Sequence, residues 1–516
     1  MSIILNNLSF TFEGHDAPLF DDLDLALSHA RTGIVGRNGS GKSTLLKLIE
    51  GTLTPTRGSA ATAGRVARLR QDLLQVRGRT VAQVLGIDRV LAALRRIENG
   101  SVDQHDFDDV GDDWDAEARA QAVIARRVPS LALEGVLDRS TETLSGGELV
   151  QLAMAALELD GASAALLDEP TNNLDARSRA ALREAVREWP GQVVVVSHDV
   201  ALLNEMDAIV ELHAGRATLY GGGYDLYLEQ RASAHEAALR EVRDARGALR
   251  TERRDLQQVQ AATSQQARQD RRRFAAQPRT PRTSDPTAKR AAEARRANRV
   301  KAAAAKVREA RDNLTAADER VRDDDHIRIP VIDPGGARGR RLLDLVGEGR
   351  TLTLCGGDRW ALVGDNGVGK STLIRRSVGA ASTRRVGLLD QRLELPDGTV
   401  FEAVAGAAPS RLPHDTHELL ARFLVRGDMV HRDVATLSGG ERFRVALARV
   451  LLASPPPELI VLDEPTNNLD LDSVDQLVEA LTAYRGALLV VSHDAELLER
   501  LGLERVVELM PDGDLV

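Results

Sequence analysis

No stretch of this 516-residue chain approaches the roughly 18 to 20 consecutive apolar residues that a membrane helix needs; the longest apolar runs are strand-sized, such as 193–196. A bilayer-spanning helix is therefore excluded by pattern. The single cysteine, Cys355, rules out an intramolecular disulfide framework and suits a reducing compartment; within 352–355 it is expected to be a small core residue of a strand. The N-terminal Met-Ser-Ile-Ile-Leu-Asn-Asn has neither the basic start nor the apolar core of a secretion signal, so a cytoplasmic location is expected. Lysine is scarce, 6 residues against 62 arginines, and two of the six are Lys42 and Lys370. Where nearly every cation became arginine, a compact ammonium kept at two sites points to phosphate oxygens.

Those two lysines open the motif pattern. Gly36-Arg-Asn-Gly-Ser-Gly41-Lys42-Ser43, Leu144-Ser-Gly-Gly-Glu148, Leu167-Asp-Glu-Pro-Thr-Asn-Asn-Leu-Asp175 and Ser197-His-Asp199 recur in the same order as Gly364-Asp-Asn-Gly-Val-Gly369-Lys370-Ser371, Leu437-Ser-Gly-Gly-Glu441, Leu462-Asp-Glu-Pro-Thr-Asn-Asn-Leu-Asp470 and Ser492-His-Asp494. Asp168 to His198 and Asp463 to His493 both span 30 positions, so a whole domain is duplicated. A glycine loop between strand and helix turns its backbone N–H groups inward and cradles phosphates at the helix N-terminus. Gly36, Asn38, Gly39, Gly41 and Thr44, with Gly364, Asn366, Gly367, Gly369 and Thr372, belong to these cradles, and Lys42 and Lys370 reach the β and γ phosphates. Ser43 with Asp168, and Ser371 with Asp463, are the expected Mg²⁺ ligands. Glu169 and Glu464, one residue past those ligands, are the candidate bases for the attacking water, and His198 and His493 the candidate γ-phosphate contacts.

The two Leu-Ser-Gly-Gly-Glu strings make residues 1–225 and 329–516 resemble the ATP-binding cassette proteins. The resemblance implies an α/β fold in each half and head-to-tail pairing of the two cassettes within a monomer. One ATP site would then combine Lys42, Ser43, Gln71, Asp168, Glu169 and His198 with Ser438, Gly439 and Gly440. The other would combine Lys370, Ser371, Gln391, Asp463, Glu464 and His493 with Ser145, Gly146 and Gly147. Gln71 and Gln391 follow the short segments Val66–Leu69 and Val386–Leu389, where the family places a metal- and water-contacting glutamine. Phe12 matches the family's adenine-stacking aromatic, while 329–359 contains no aromatic residue.

Between the cassettes the texture changes. Residues 231–328 are rich in Ala, Arg, Gln and Glu, with prolines only at 278, 281 and 286, which predicts two antiparallel helices over about 228–276 and 288–325. The expected domains are a first cassette over 1–227, a helical hairpin over 228–328 and a second cassette over 329–516. The hairpin segment 231–328 carries 25 basic and 15 acidic residues although the chain is −9 overall, and 271–301 alone carries 11 basic and 2 acidic. Acidic partners for i,i+4 pairing persist in the stems and vanish at the tip, which favours a polyanionic partner over a merely solvated helix.

A twin-cassette chain with a basic helical hairpin resembles the F subfamily of ATP-binding cassette proteins. That resemblance implies ribosome binding, with the linker reaching P-site tRNA near the peptidyl-transferase centre, and favours antibiotic resistance by ribosome protection. A housekeeping translation factor, the ATPase subunit of an efflux transporter and a DNA-associated ATPase are the alternatives. Asn173 and Asn468 stand where the subfamily usually has His. About 27 extra residues separate Gln71 from Ser145 relative to the second half, and this insert carries Asp103, Asp106, Asp108, Asp109, Asp112, Asp113 and Asp115. So acidic an insert is a poor RNA ligand, and a protein contact or a plain helical subdomain is expected. No basic extension follows the second cassette, since only about 20 residues come after Asp494.

Overall fold

The computed structural model describes residues 2–14, 17–69, 78–133, 135–172, 174–276, 286–318, 331–336, 338–365, 367–390, 393–466 and 469–516. Gln71, Asn366 and Gln391, together with Asn173, Asn467 and Asn468, lie outside them.

In each cassette the continuous apolar runs form the middle of a parallel sheet, because a strand covered on both faces needs no polar alternation. The first sheet runs Val66–Leu69, Ala164–Asp168, Gln192–Val196, Arg31–Gly36, Ala208–His213, Arg216–Gly221, all neighbours parallel except the last pair. The second is wholly parallel, in the order Val386–Leu389, Leu459–Asp463, Ala487–Val491, Arg359–Val363, Arg505–Glu508. Beside them lie antiparallel sheets of three strands in the first half and two in the second. The central strands Ala164–Asp168, Gln192–Val196, Leu459–Asp463 and Ala487–Val491 are buried along their whole length, so the residues just past their C-terminal ends are held by the most rigid part of each domain. Cys355 closes the strand Thr351–Cys355 and is half-buried rather than a core residue.

The insert of the first cassette is a helical subdomain. Asp88–Glu98, Gln104–Val110 and Ala116–Arg127 pack through a small core of Ala93, Leu94, Val110 and Ala116. Its aspartates are largely consumed internally. Asp106 accepts from Arg96 at 2.7 Å and from Ser101 at 2.6 Å, Asp109 pairs with Arg89, Asp113 and Asp115 share Arg119, and Asp103 caps the helix that begins at Gln104.

The linker consists of the helices Tyr224–Ala276 and Pro286–Asp318. The first helix begins four residues before the expected 228 and the second two before the expected 288. Pro286 is the first residue of the second helix, a position where its fixed φ and missing N–H cost little. At about 1.5 Å per residue the 53-residue helix is on the order of 80 Å long. Its less exposed positions include 231, 235, 238, 242, 245, 249, 252, 256, 259, 263 and 267, and those of the second helix 296, 300, 303, 304, 307, 310, 314 and 317, a pattern dominated by steps of four and three. Such steps follow the 3.5-residue repeat of a left-handed coiled coil. The second helix contributes Ala303, Ala310 and Ala317 to this seam, and Arg246 meets Asp318 at 3.4 Å alongside it. Replacing Leu249, 7 % exposed in the seam, by alanine should loosen the hairpin by about 2 kcal/mol. Hydrogen exchange should show faster linker amides with unchanged cassette strands, and equal protection in both proteins would refute the seam.

Candidate functional site

Both glycine loops are shaped by steric necessity. A Cβ on Gly36 would come within 2.5 Å of the Leu212 carbonyl oxygen, and one on Gly364 within 2.5 Å of that of Leu509, so each loop leaves its strand where only glycine fits. Gly41 and Gly369, at φ 97° and 103°, then start the helices Lys42–Glu50 and Lys370–Gly379 from the left-handed region. Asn38, Gly39 and Thr44, with Gly367 and Thr372, fall in these loops and first turns. The ammonium of Lys42 donates to the carbonyls of Gly36 at 2.6 Å and Arg37 at 3.3 Å; that of Lys370 donates to Gly364 at 2.7 Å and Asp365 at 3.1 Å. Burial pulls both lysines below their ordinary values, opposed by Glu169 and Glu464 respectively.

Asp168 and Asp463 end buried strands, and the next residue in each cassette has an unusual backbone. Glu169 has φ 46° and Glu464 φ 49°, a left-handed conformation that costs a non-glycine residue roughly 1 kcal/mol or more. The neighbouring strand holds each in place: the Glu169 amide donates to Val196 O at 2.8 Å and the Glu464 amide to Val491 O at 2.9 Å. The same strain at both copies turns each carboxylate towards the histidine beyond that strand. His198 Nε2 lies 3.0 Å from Glu169 Oε1, and His493 Nε2 lies 3.4 Å from Glu464 Oε1. In the second cassette His493 Nε2 is also 2.8 Å from the Lys370 ammonium, an arrangement in which the lysine donates and a neutral ring accepts. Burial pushes His493 down to about 4 and, opposed by Lys370 and Arg179, pushes Glu464 up to about 7.

The oxygen donors suit a hard cation shared with phosphates. Ser43 Oγ donates to Asp168 Oδ1 at 3.0 Å, and burial raises the Asp168 carboxyl. Asp463 Oδ1 is buried with no hydrogen-bond partner among the described residues, which is the state of an oxygen awaiting a ligand. No group of three or more His, Cys, Asp or Glu that could hold a metal is found among the described residues, consistent with a cation taking one or two protein oxygens and the rest from substrate and water. Phe12 is 44 % exposed and packs edge-on against Phe10, centroids 5.0 Å apart.

The contacts between the cassettes bring Asp470 and Asp472, to which the sequence assigned no role, against the opposite glycine loop. Asp470 caps the helix Leu471–Ala483 through the Ser473 amide at 2.9 Å and accepts from the Asn38 amide of the opposite glycine loop at 2.8 Å. Asp472 lies 3.7 Å from Arg37. Reciprocally, Asp175 caps Ala176–Arg187 and lies within the electrostatic reach of Lys370 and His493. Ser145 and Ser438, expected to face the opposite glycine loops, are exposed and bond in reciprocal caps with Glu148 and Glu441, at the starts of the helices carrying Gly146, Gly147, Gly439 and Gly440. The duplicated Leu-Asp ending of each motif string was the available signal for Asp175 and Asp470; what it lacked was any indication that a capping aspartate also reaches another domain. Changing Asp470 to alanine should remove about 1 kcal/mol of helix capping and speed exchange of the Asn38 amide, whereas Asp175→Ala should leave that amide protected. Equal effects of the two changes on Asn38 would refute a contact between cassettes.

The sequence model of the family described as ABC transporter matches residues 20–172 and 375–467. The tylosin resistance ATP-binding protein of Streptomyces fradiae is 33% identical over 94% of this chain and 93% of its own. The energy-dependent translational throttle protein of Mycobacterium tuberculosis is 30% identical over 94% and 88%. ABC transporter F family member 5 of Arabidopsis thaliana is 28% identical over 94% and 71%. Among solved structures, an archaeal ribosome recycling factor in complex with a ribosomal stalk protein shares the fold at TM-score 0.53 and 21% identity, covering 97% of this chain and 87% of that one. With paired glycine loops, signature strings and strained glutamates on twin parallel sheets, the chain belongs to the F subfamily of the ATP-binding cassette proteins.

Proposed function

We propose that this protein is a ribosome-binding translation factor that hydrolyses ATP at two composite sites and protects the ribosome from an antibiotic. The observation that carries the ribosome reading is the sequence segment 271–301, which holds 11 basic and 2 acidic residues in a chain that is otherwise strongly acidic. Long helices flank that charge, the first on the order of 80 Å, and such a basic segment suits contact with large-subunit rRNA and P-site tRNA near the peptidyl-transferase centre. The drug-protection reading draws on the tylosin resistance relative; a throttle-like role in translation draws on the 30 % identical relative. No helix among the described residues is long and apolar enough to cross a membrane, so the efflux alternative needs a separate membrane subunit to co-purify with the protein.

At each site the glycine loop and its lysine bind the triphosphate. Ser43 with Asp168, and Ser371 with Asp463, hold Mg²⁺, joined by Gln71 and Gln391; the cation, when bound, neutralises phosphate charge. Glu169 and Glu464 orient the water and accept its proton as it attacks the γ phosphorus. His198 and His493 donate to the γ-phosphate oxygens, and Phe12 stacks on adenine at the first site. The signature residues Ser145, Gly146, Gly147, Ser438, Gly439 and Gly440 close on the nucleotide from the opposite cassette.

Two measurements test the two halves of this reading. Changing Glu169 and Glu464 together to glutamine should slow hydrolysis by about 10² to 10⁴ while ATP binding persists, and the protein should stay on ribosomes in sedimentation; unchanged turnover would remove both glutamates from the chemistry. Changing Arg271, Arg272, Arg273, Arg279 and Arg282 to alanine should weaken ribosome binding and flatten its salt dependence, with free ATPase activity near the parent value. An unmoved affinity and salt slope would leave the hairpin tip without a role in RNA contact.

A further inference from the structure

Arg179 stands one turn beyond Asp175 on the first cassette's helix Ala176–Arg187, and its side chain is only 13 % exposed. Its Nε donates to Leu174 O at 3.1 Å and its Nη1 lies 3.7 Å from Asp199 Oδ2, so the guanidinium is tied to the residue next to His198. It lines a cavity of ≈ 240 Å³ between the cassettes together with Thr171, His198, Thr466 and His493. From there its charge acts on Glu464 and His493 of the second cassette. The other charged groups bearing on that pair are Lys370, Asp463, Asp365 and, from the first cassette, Asp175. Carboxylates thus converge on the second site from both cassettes, and beside the Lys370 ammonium the Arg179 guanidinium bears on the pair from the first cassette, with Arg183 lining the same cavity. The duplication places Val474 at the corresponding position of the second cassette, just as Asp470 corresponds to Asp175. The helix that approaches the Glu169–His198 pair therefore carries no cation there.

We infer that Arg179 is a positioning residue for ATP hydrolysis at the second site, where it holds the Glu464–His493 pair in place from across the cassette interface, and that Val474 leaves the first site without this support. The inference rests on the proposed role of Glu464 as the carboxylate that orients water. Arginine suits the task because its planar fork can stay anchored on Leu174 O and Asp199 while its charge faces the other cassette. Turnover at the second site then depends on how closely the first cassette's helix approaches, and the two sites work unequally although their motifs match.

The test isolates each site. In a Glu169→Gln background, where the second site carries turnover, Arg179→Gln should lower kcat about tenfold with the KM for ATP within about twofold, and Arg179→Lys should restore most of the rate because the charge is kept. In a Glu464→Gln background the same Arg179→Gln change should alter first-site turnover by no more than about twofold. Thermal melting of each variant beside its parent identifies any variant that fails to fold, and Arg179→Lys then carries the comparison, since it keeps the stem and the charge. An equal loss in both backgrounds, a loss confined to KM, or no loss in the Glu169→Gln background overturns the inference while leaving the role of Glu464 standing. If adding Glu464→Gln to the Glu169→Gln background leaves turnover unchanged, the role of Glu464 itself fails, and that result involves no change at Arg179.

Discussion

The Asp470 carboxylate does two things at once: it caps the helix Leu471–Ala483 and accepts a hydrogen bond from the glycine loop of the opposite cassette. A capping residue has little freedom, because its side chain must meet amides at the start of its own helix. Using that restrained group as the bridge means that one cassette cannot move against the other without disturbing a phosphate loop. Asp175 stands at the matching place, within the electrostatic reach of Lys370. The start of the helix Leu471–Ala483 is thereby tied to the opposite glycine loop.

The rest of each site is organised by strain held in a rigid frame. Glu169 and Glu464 adopt a backbone that an unconstrained chain would avoid, and a hydrogen bond to the adjoining buried strand keeps each there. The cost is small beside the stability of a fully buried parallel sheet. In return the carboxylate and the histidine beyond the adjoining strand are presented together on one edge. The second site departs from the first in detail: Lys370 engages His493 directly, whereas His198 faces Glu169. Duplicated sequence has thus not produced duplicated geometry.

Charge is divided among the parts of the molecule by the same economy. The acidic insert does not present a uniformly acidic face, since Arg89, Arg96 and Arg119 take up Asp106, Asp109, Asp113 and Asp115 within the subdomain itself. Of the two expectations for that segment, the helical subdomain is what forms, and its aspartates act as caps and internal ion pairs. The linker seam is built of alanine and a few larger aliphatic residues, with Arg231, His235, Glu252 and Arg296 also among its less exposed positions.

The motif strings and the family resemblance they carry pointed to the twin α/β cassettes, the phosphate-loop lysines and the carboxylates after the buried strands, and composition pointed to the helical linker. These features follow from local rules: glycine where a Cβ cannot fit, apolar runs that must be covered on both faces, and helix-favouring composition without breakers. Pattern could not reveal that Glu169 and Glu464 are held in left-handed backbone, that the linker helices share a 3.5-residue seam, or that Asp470 and Arg179 work across the cassette boundary. A capping aspartate or a helical arginine looks the same in sequence whether it faces solvent or another domain. The difference is made by which surfaces are brought together, and only the tertiary structure decides that.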